Sequence, residues 1–151
     1  MAKNIFITLA VIFSAISIDA QINVYISNTS KDIVGSRLAY KIKENIRKSS
    51  GMQLVPAENE SVIQIRMVTL DPGNNGNSTV YSVVWTITQL TNLSAKLYWT
   101  SSVGTCGSNR VDEVSESLVA QTDDIIDELL ETVRSIMENN NSSGTINDQY
   151  K

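Results

Sequence analysis

Apolar residues recur along the chain with two spacings, and each spacing predicts a different kind of element. Alternating apolar and polar residues are typical of a strand with one buried face, whereas apolar residues three to four positions apart are typical of an amphipathic helix. Segments rich in Gly, Asn and Ser, which favour turns, separate several of these runs. The predicted elements are strand 22–26, helix 29–50, strands 52–55, 62–70, 80–90 and 96–103, and helix 111–138.

This order, β-α-β-β-β-β-α, predicts an α+β fold. The expected architecture is a two-layer sandwich, in which two helices cover one face of a mixed, mainly antiparallel sheet. The strand–helix–strand start predicts a parallel unit, and the three long strands predict an antiparallel meander. Thr29 or Ser30 is expected to cap the first helix, and Gly51 to end it in a left-handed conformation. One domain is expected over 21–138, followed by a disordered tail over 139–151.

The first 20 residues have the three-part build of a secretory signal peptide. Lys3 supplies the positive start and Ile5–Ile18 the apolar core. Ala20 is the small residue before a cut that leaves Gln21 at the new amino terminus, and a cut after Ser17 is the alternative. The apolar run is 14 residues long, shorter than the roughly 20 that cross a bilayer. We therefore expect a periplasmic or secreted protein with no membrane span.

Composition argues against several classes of function. The chain has no histidine and one cysteine, Cys106, which excludes Ser-His-Asp and Cys-His catalysis, histidine zinc sites and a Cys-x-x-Cys redox pair. A net charge of −4 argues against nucleic-acid binding, which needs a basic surface. We predict no catalytic residues, no metal site and no cofactor. Cys106 itself could be buried, free or paired with another chain.

Two constellations could still bind a small ligand. The loop 103–110 joins a strand to a helix start, where free N–H groups favour an anion, although a plain turn with Ser108 or Asn109 as helix cap is the simpler interpretation. Carboxylates over 123–131 recur three to four apart and could share a Ca²⁺ ion, but a solvated helix face explains them as well. The residues predicted for the anion site are Gly104, Gly107, Ser108, Asn109 and Arg110.

The side of the meander away from the predicted core is rich in hydroxyl groups. The last strand is expected to turn Leu97, Trp99 and Val103 towards the core, so Tyr98, Thr100 and Ser102 should lie on this opposite side. Antiparallel sheets tolerate water on one face, but an open face or an unpaired edge strand can also bind a partner. The residues predicted for this partner face are Ser82, Val84, Thr86, Tyr98 and Thr100.

The leading hypothesis is therefore a non-enzymatic, exported interaction domain that binds an unknown envelope protein. A homodimer is a further prediction. The alternatives are a small-ligand or anion-binding protein that uses the loop before the last helix, and an enzyme that depends on carboxylates or on Cys106.

Four segments resemble a group of small exported bacterial proteins of uncharacterised function. That resemblance covers most of the chain after the signal segment and implies no catalytic residues. More loosely, the strand–helix–strand start followed by a meander is similar to the amino-terminal domain of TolB and related envelope-assembly domains, which implies a related fold. The four segments are Asp32–Tyr40, Ile46–Leu54, Val80–Trp85 and Ser102–Gly107.

Overall fold

A computed structural model describes residues 21–88 and 96–143 of the chain. The predicted signal segment, the predicted link 91–94 and residues 144–151 lie outside these ranges. The elements are β1 Ile22–Ser30, α1 Ile33–Lys48, β2 Met52–Leu54, a 3-10 turn Glu58–Glu60, β3 Ile63–Leu70, β4 Ser78–Ile87, β5 Leu97–Gly107 and α2 Val111–Ser143.

The strands form one five-stranded sheet in the order β2-β1-β3-β4-β5. β1 is parallel to both β2 and β3, whereas β3, β4 and β5 form an antiparallel meander. The predicted α+β class, with a parallel start and a meander after it, is confirmed. β2 and β5 are the two edges, and β5 is much the longer of them.

Both helices pack on the same face of this sheet and share one apolar core with it. Trp85 of β4 is the largest fully buried side chain. Its indole Nε1 donates a hydrogen bond to Thr122 Oγ1 of α2 at 3.0 Å, and Thr122 in turn donates to the Leu118 carbonyl at 2.9 Å. The indole therefore keeps its polar atom paired inside the core, which a buried Trp requires.

The start of α1 is fastened to two strands by Asp32. Its carboxylate accepts the Gly35 N–H at 2.6 Å, the Thr69 hydroxyl at 2.5 Å and the Thr79 hydroxyl at 3.1 Å. Burial raises the pKa of Asp32, but these three hydrogen bonds outweigh it and leave the pKa below its usual value. Asp32 is thus the helix cap. Residues 29–30, predicted to supply the cap, belong to β1 instead.

The carboxyl ends of both helices differ from prediction. α1 ends at Lys48, and its cap residue Ser49 has an extended backbone. Gly51 does not adopt the predicted left-handed conformation, since the positive φ angles among the described residues belong to Asn74 and Gly76. α2 extends past its predicted end, and 139–143, predicted to lie in the tail, are helical. In the part of the chain that is described, no helix is long and apolar enough to cross a membrane.

Candidate functional site: the helix-free face of the sheet

No described helix covers the second face of the sheet, and the side chains on it follow from the strand registers. Core residues such as Ile63, Ile65 and Met67 point to the helices, so the residues between them point the other way. Four of the five predicted partner-face residues, Ser82, Val84, Thr86 and Tyr98, lie on this helix-free face. Its other members on β1, β3, β4 and β5 are Tyr25, Ser27, Thr29, Gln64, Arg66, Val68, Leu70, Val80, Ser101, Val103 and Thr105.

A β-bulge in β5 changes which of its residues reach the helix-free face. Thr86 pairs with Tyr98 and the adjacent Trp85 pairs with Thr100, so Trp99 is an extra residue between them. One inserted residue shifts the alternation of everything that follows it. Thr100 is therefore on the side of buried Trp85, facing the helices, and its predicted place on the partner face is wrong.

The same bulge also changes the face on which other residues of β5 lie. Val103, predicted to face the core, is 73% exposed on the helix-free face. Thr100 instead lines a cleft with Asp124 of α2. Trp99 reaches the same helix, where its indole donates to Glu128 Oε2 at 3.2 Å. The bulge thus places two consecutive side chains against α2, and it attaches the edge strand to that helix.

One end of the helix-free face carries an apolar patch, defined here as Val68, Leu70, Val80 and Val103. Their exposed fractions are 56%, 67%, 37% and 73%. Leu70 lies directly opposite Val80, and Val68 and Val103 lie on either side of Ser82 in one cross-strand row. Single exposed apolar residues are ordinary on a protein surface, but a contiguous group on a sheet face is typical of a binding surface.

The other end of the face carries a polar row, defined here as Tyr25, Gln64, Thr86 and Tyr98. These residues are consecutive cross-strand partners on β1, β3, β4 and β5. Gln64 is only 1% exposed, yet neither its Oε1 nor its Nε2 has a hydrogen-bond partner among the described residues, and the same is true of the buried Thr86 Oγ1. Buried polar groups are nearly always paired, so two unpaired neighbours in one row are unusual.

A cleft of about 400 Å³ opens beside the polar row, and its lining includes Gln64, Glu58, Thr88 and Lys96. Glu58, in the 3-10 turn, forms ion pairs with Lys96 and, at 3.4 Å, with Arg66. The Thr88 hydroxyl bonds the carbonyl of the residue that follows the turn. The turn is therefore held against the end of the sheet, and long, half-exposed charged side chains line the cleft.

The predicted anion site is not a continuous loop. β5 continues to Gly107, so Gly104 and Gly107 are strand residues. Gly104 lies opposite Tyr81, and a Cβ at Gly104 would collide with the Tyr81 phenol. The small residue is therefore explained by a ring on the neighbouring strand rather than by an anion close to the backbone.

The remaining residues of that predicted site form the turn into α2. Ser108 N–H donates to the Asn77 carbonyl at 2.8 Å. The first helical acceptor is the carbonyl of Arg110, so Arg110 occupies the cap position rather than Ser108 or Asn109. The guanidinium of Arg110 forms a two-point ion pair with Glu113, with contacts of 2.9 and 2.6 Å. The N–H groups of Ser108 and Arg110 and the Arg110 guanidinium are therefore already paired, and anion binding here stays an untested prediction.

Cys106 is buried on the helix-facing side of β5. Burial raises the pKa of its thiol, and the partial compensation by Arg110 and Arg37 is too small to reverse that shift. Nucleophilic cysteines need a lowered pKa and access to substrate. Of the three alternatives left open for this thiol, the structure shows the buried one.

The acidic residues of α2 remain a solvated surface. Burial raises the pKa of Asp123, with smaller contributions from Asp127 and Asp124. Within residues 21–88 and 96–143, no group of three or more acidic or cysteine side chains is arranged to hold a metal ion. An ion pair joins α2 to α1, Lys41 Nζ to Asp112 Oδ1 at 3.2 Å.

No protein-family model and no curated protein matches this chain. Among solved structures, it is similar to the hypothetical protein CT253 from Chlamydia trachomatis, with a TM-score of 0.41, 9% identity, and coverage of 76% of this chain and 97% of that one. It is also similar to the rare lipoprotein B from Shewanella oneidensis, with a TM-score of 0.32, 17% identity, and coverage of 75% and 98%. Neither similarity shows a family for this chain, and a likeness to TolB is not shown.

Proposed function

We propose that this protein is an exported, non-catalytic interaction domain of the bacterial periplasm or envelope, which docks a protein partner on the helix-free face of its sheet. The observation that carries the proposal is the apolar patch, four contiguous exposed side chains on a face that no described helix covers. Water-exposed apolar surface is unfavourable, and covering it is the main driving force of protein association.

The rest of the molecule supports a binding role over a catalytic one. The lone thiol is buried with a raised pKa. Most of the described acidic residues lie along α2, where they are exposed. The edge strand β5 adjoins the apolar patch through Val103 and carries no charged residue from Leu97 to Gly107, so a partner can contact the face and the edge together.

The direct test is site-specific photo-crosslinking in the cells that make the protein. A photoreactive benzoylphenylalanine at Val103 should give a discrete crosslinked product, whereas the same residue at Tyr40 should give none. Tyr40 is a matched control because it is 62% exposed but lies on α1, on the other layer. Equal products from both positions, or none from Val103, would contradict the proposal.

A second arm asks whether the patch itself is needed. Val68→Lys and Val103→Lys should each abolish the crosslink from a probe at Val80, because a desolvated ammonium opposes burial. Ser117→Lys, at an exposed position on α2, should leave it intact. The identity of the crosslinked product, a second copy of this chain or another protein, tests the homodimer prediction.

The export prediction has its own measurement. Mass spectrometry of the protein recovered from the periplasm or medium should give a chain that begins at Gln21. A chain beginning after Ser17 would move the cut without changing the location. A cytoplasmic chain that retains Met1 would contradict export.

A further inference from the structure

The polar row contains a buried side chain, Gln64, whose position is energetically unfavourable. Gln64 lies between two core residues of β3, and its side chain points away from the core onto a face where water would normally pair it. Instead the carboxamide is buried, and neither its donor nor its acceptor has a partner among the described residues. Replacing such a group by an apolar side chain of the same shape is often neutral or stabilising, so its presence costs stability and calls for another reason.

The residues around Gln64 give this position the features of a ligand-binding site. Thr86, next to Gln64 in the same row, adds a buried hydroxyl without a partner among the described residues, and Tyr25 and Tyr98 stand at the two ends. Gln64 also lines the cleft of about 400 Å³ beside the row, a volume in the range of ordinary ligand sites. The row thus offers a donor, an acceptor and a hydroxyl between two aromatic rings.

The charges around the cleft limit what can bind. Lys96 is neutralised by Glu58, which Arg66 also contacts, so the group carries only one net positive charge. These side chains are half-exposed, and surface ion pairs of this kind are weak enough to be displaced. An uncharged ligand that pairs hydrogen-bond donors with acceptors therefore fits this cleft better than an anion held by surrounding cations.

We infer that the polar row binds an extended peptide segment, with the Gln64 carboxamide pairing to the peptide backbone. In an extended chain the N–H and C=O of one residue point to the same side. A carboxamide carries one donor edge and one acceptor edge side by side, so it can pair with both groups at once. Thr86 Oγ1 lies next to it for a further bond, and the tyrosine rings flank the peptide side chains. This deepens the proposed function, on which it rests, because it names the part of the partner that the face recognises.

The test uses the ¹⁵N-labelled chain without its signal segment and N-acetyl-trialanine amide as the probe. The side-chain amide signals of Gln64 are assigned by their loss in Gln64→Met. We expect a saturable shift of these signals with the tripeptide in wild type, and at least a threefold weaker affinity in Thr86→Val. Gln53→Met is the matched control, since Gln53 is exposed on β2, and it should change neither affinity nor melting temperature.

Stability gives an independent readout of the same site. Gln64→Met should melt at or above the wild-type temperature and should lose tripeptide binding, read from the backbone signals of Thr88 and Lys96. A melting temperature clearly below wild type would show that the carboxamide is a structural group and would overturn the inference. If that variant does not fold, the wild-type titration and Thr86→Val decide.

Two further outcomes would also overturn it. One is the absence of any saturable shift up to the solubility limit of the tripeptide. The other is a shift of equal size with maltose or inorganic phosphate. Persistence of the Val103 crosslink alongside either result would refute this inference alone, since that crosslink reads the apolar patch and not Gln64.

Discussion

The two faces of the sheet differ in the exposure of their apolar side chains and in the pairing of their polar groups. On the helix-covered face, apolar side chains meet apolar side chains, and the Trp85 indole is paired with the Thr122 hydroxyl, although Asn28 Oδ1 is buried there without a partner among the described residues. On the helix-free face, valines and a leucine are exposed at one end, and Gln64 is buried but unpaired at the other. The first face explains why the chain folds, whereas the features of the second face do not stabilise the isolated domain.

This contrast separates positions that hold the fold from positions available for function. Along β3 and β4, positions that hold the fold alternate with positions available for function, because successive side chains point to opposite faces. Substitutions at neighbouring positions should therefore have very different consequences, and the difference between the faces can be measured.

The largest effect is expected from truncation on the two faces of β3. Ile65→Ala removes a fully buried side chain from the core and should lower the free energy of unfolding by about 2–5 kcal/mol. Val68→Ala, three residues further on and 56% exposed, should change it by less than about 0.5 kcal/mol. Urea unfolding at constant m-value measures both. Similar losses at both positions would remove the distinction between the faces.

A second variant tests how tightly α1 lies on the sheet. A Cβ at Gly35 would collide with the hydroxyls of Thr69 and Ser30, so Gly35→Ala should cost about 1–3 kcal/mol, as overpacking commonly does. Gly51→Ala is the control, because a Cβ there meets only Ser49 Oγ, at 4.0 Å. Thermal unfolding of the two variants should give a lower midpoint for Gly35→Ala alone. A normal midpoint for Gly35→Ala would mean that the helix can lift without cost.

The Asp32 cap should contribute less, about 1–2 kcal/mol, by comparison of Asp32→Ala with wild type at neutral pH. Its folded-state pKa lies below the usual 3.8, so its contribution is complete above that value and is lost as the pH falls through the folded-state pKa. The gap between the two melting temperatures should therefore be constant from pH 7 to about pH 5 and should narrow in more acidic buffer. A gap that widens on acidification would contradict the lowered pKa.

The smallest effect is expected at the ion pair between the helices. Lys41 and Asp112 are exposed, and solvent-exposed pairs contribute little. Lys41→Met should leave the urea midpoint unchanged within error at both low and high salt. A large loss at low salt that disappears at high salt would show that charge, and not the apolar core alone, holds the helices together.

Much of this organisation is predictable from spacing. The element order, the parallel start, the meander and the inward side chains of β4 all follow from alternation and helical periodicity, because one buried face imposes the pattern locally. The bulge does not follow, since Tyr98, Trp99 and Thr100 all favour strands and none marks an extra residue. The error at Thr100 comes from carrying one alternation across that point.

The other features that the sequence does not predict depend on distant residues. Gly104 looks like a loop glycine until the Tyr81 ring of the neighbouring strand is placed against it. Gln64 looks like an ordinary outward residue in an alternating strand, and only the turn at Glu58 and the side chain of Lys96 reveal its cleft. The sequence does show a polar residue, Gln64, between two isoleucines, but the burial of Gln64 depends on the tertiary structure.

The bulge also determines where β5 can lose a residue. Without Trp99, β5 would be a regular strand, and Tyr98 and Thr100 would keep their present partners on β4. A chain that lacks Trp99 would lose only the indole that joins the strand to Glu128 of α2. Loss of a residue elsewhere in β5 would instead move side chains from one face to the other. Trp99 is thus the position at which this edge strand tolerates a deletion, and the expected result is a looser attachment to α2 with an unchanged binding face.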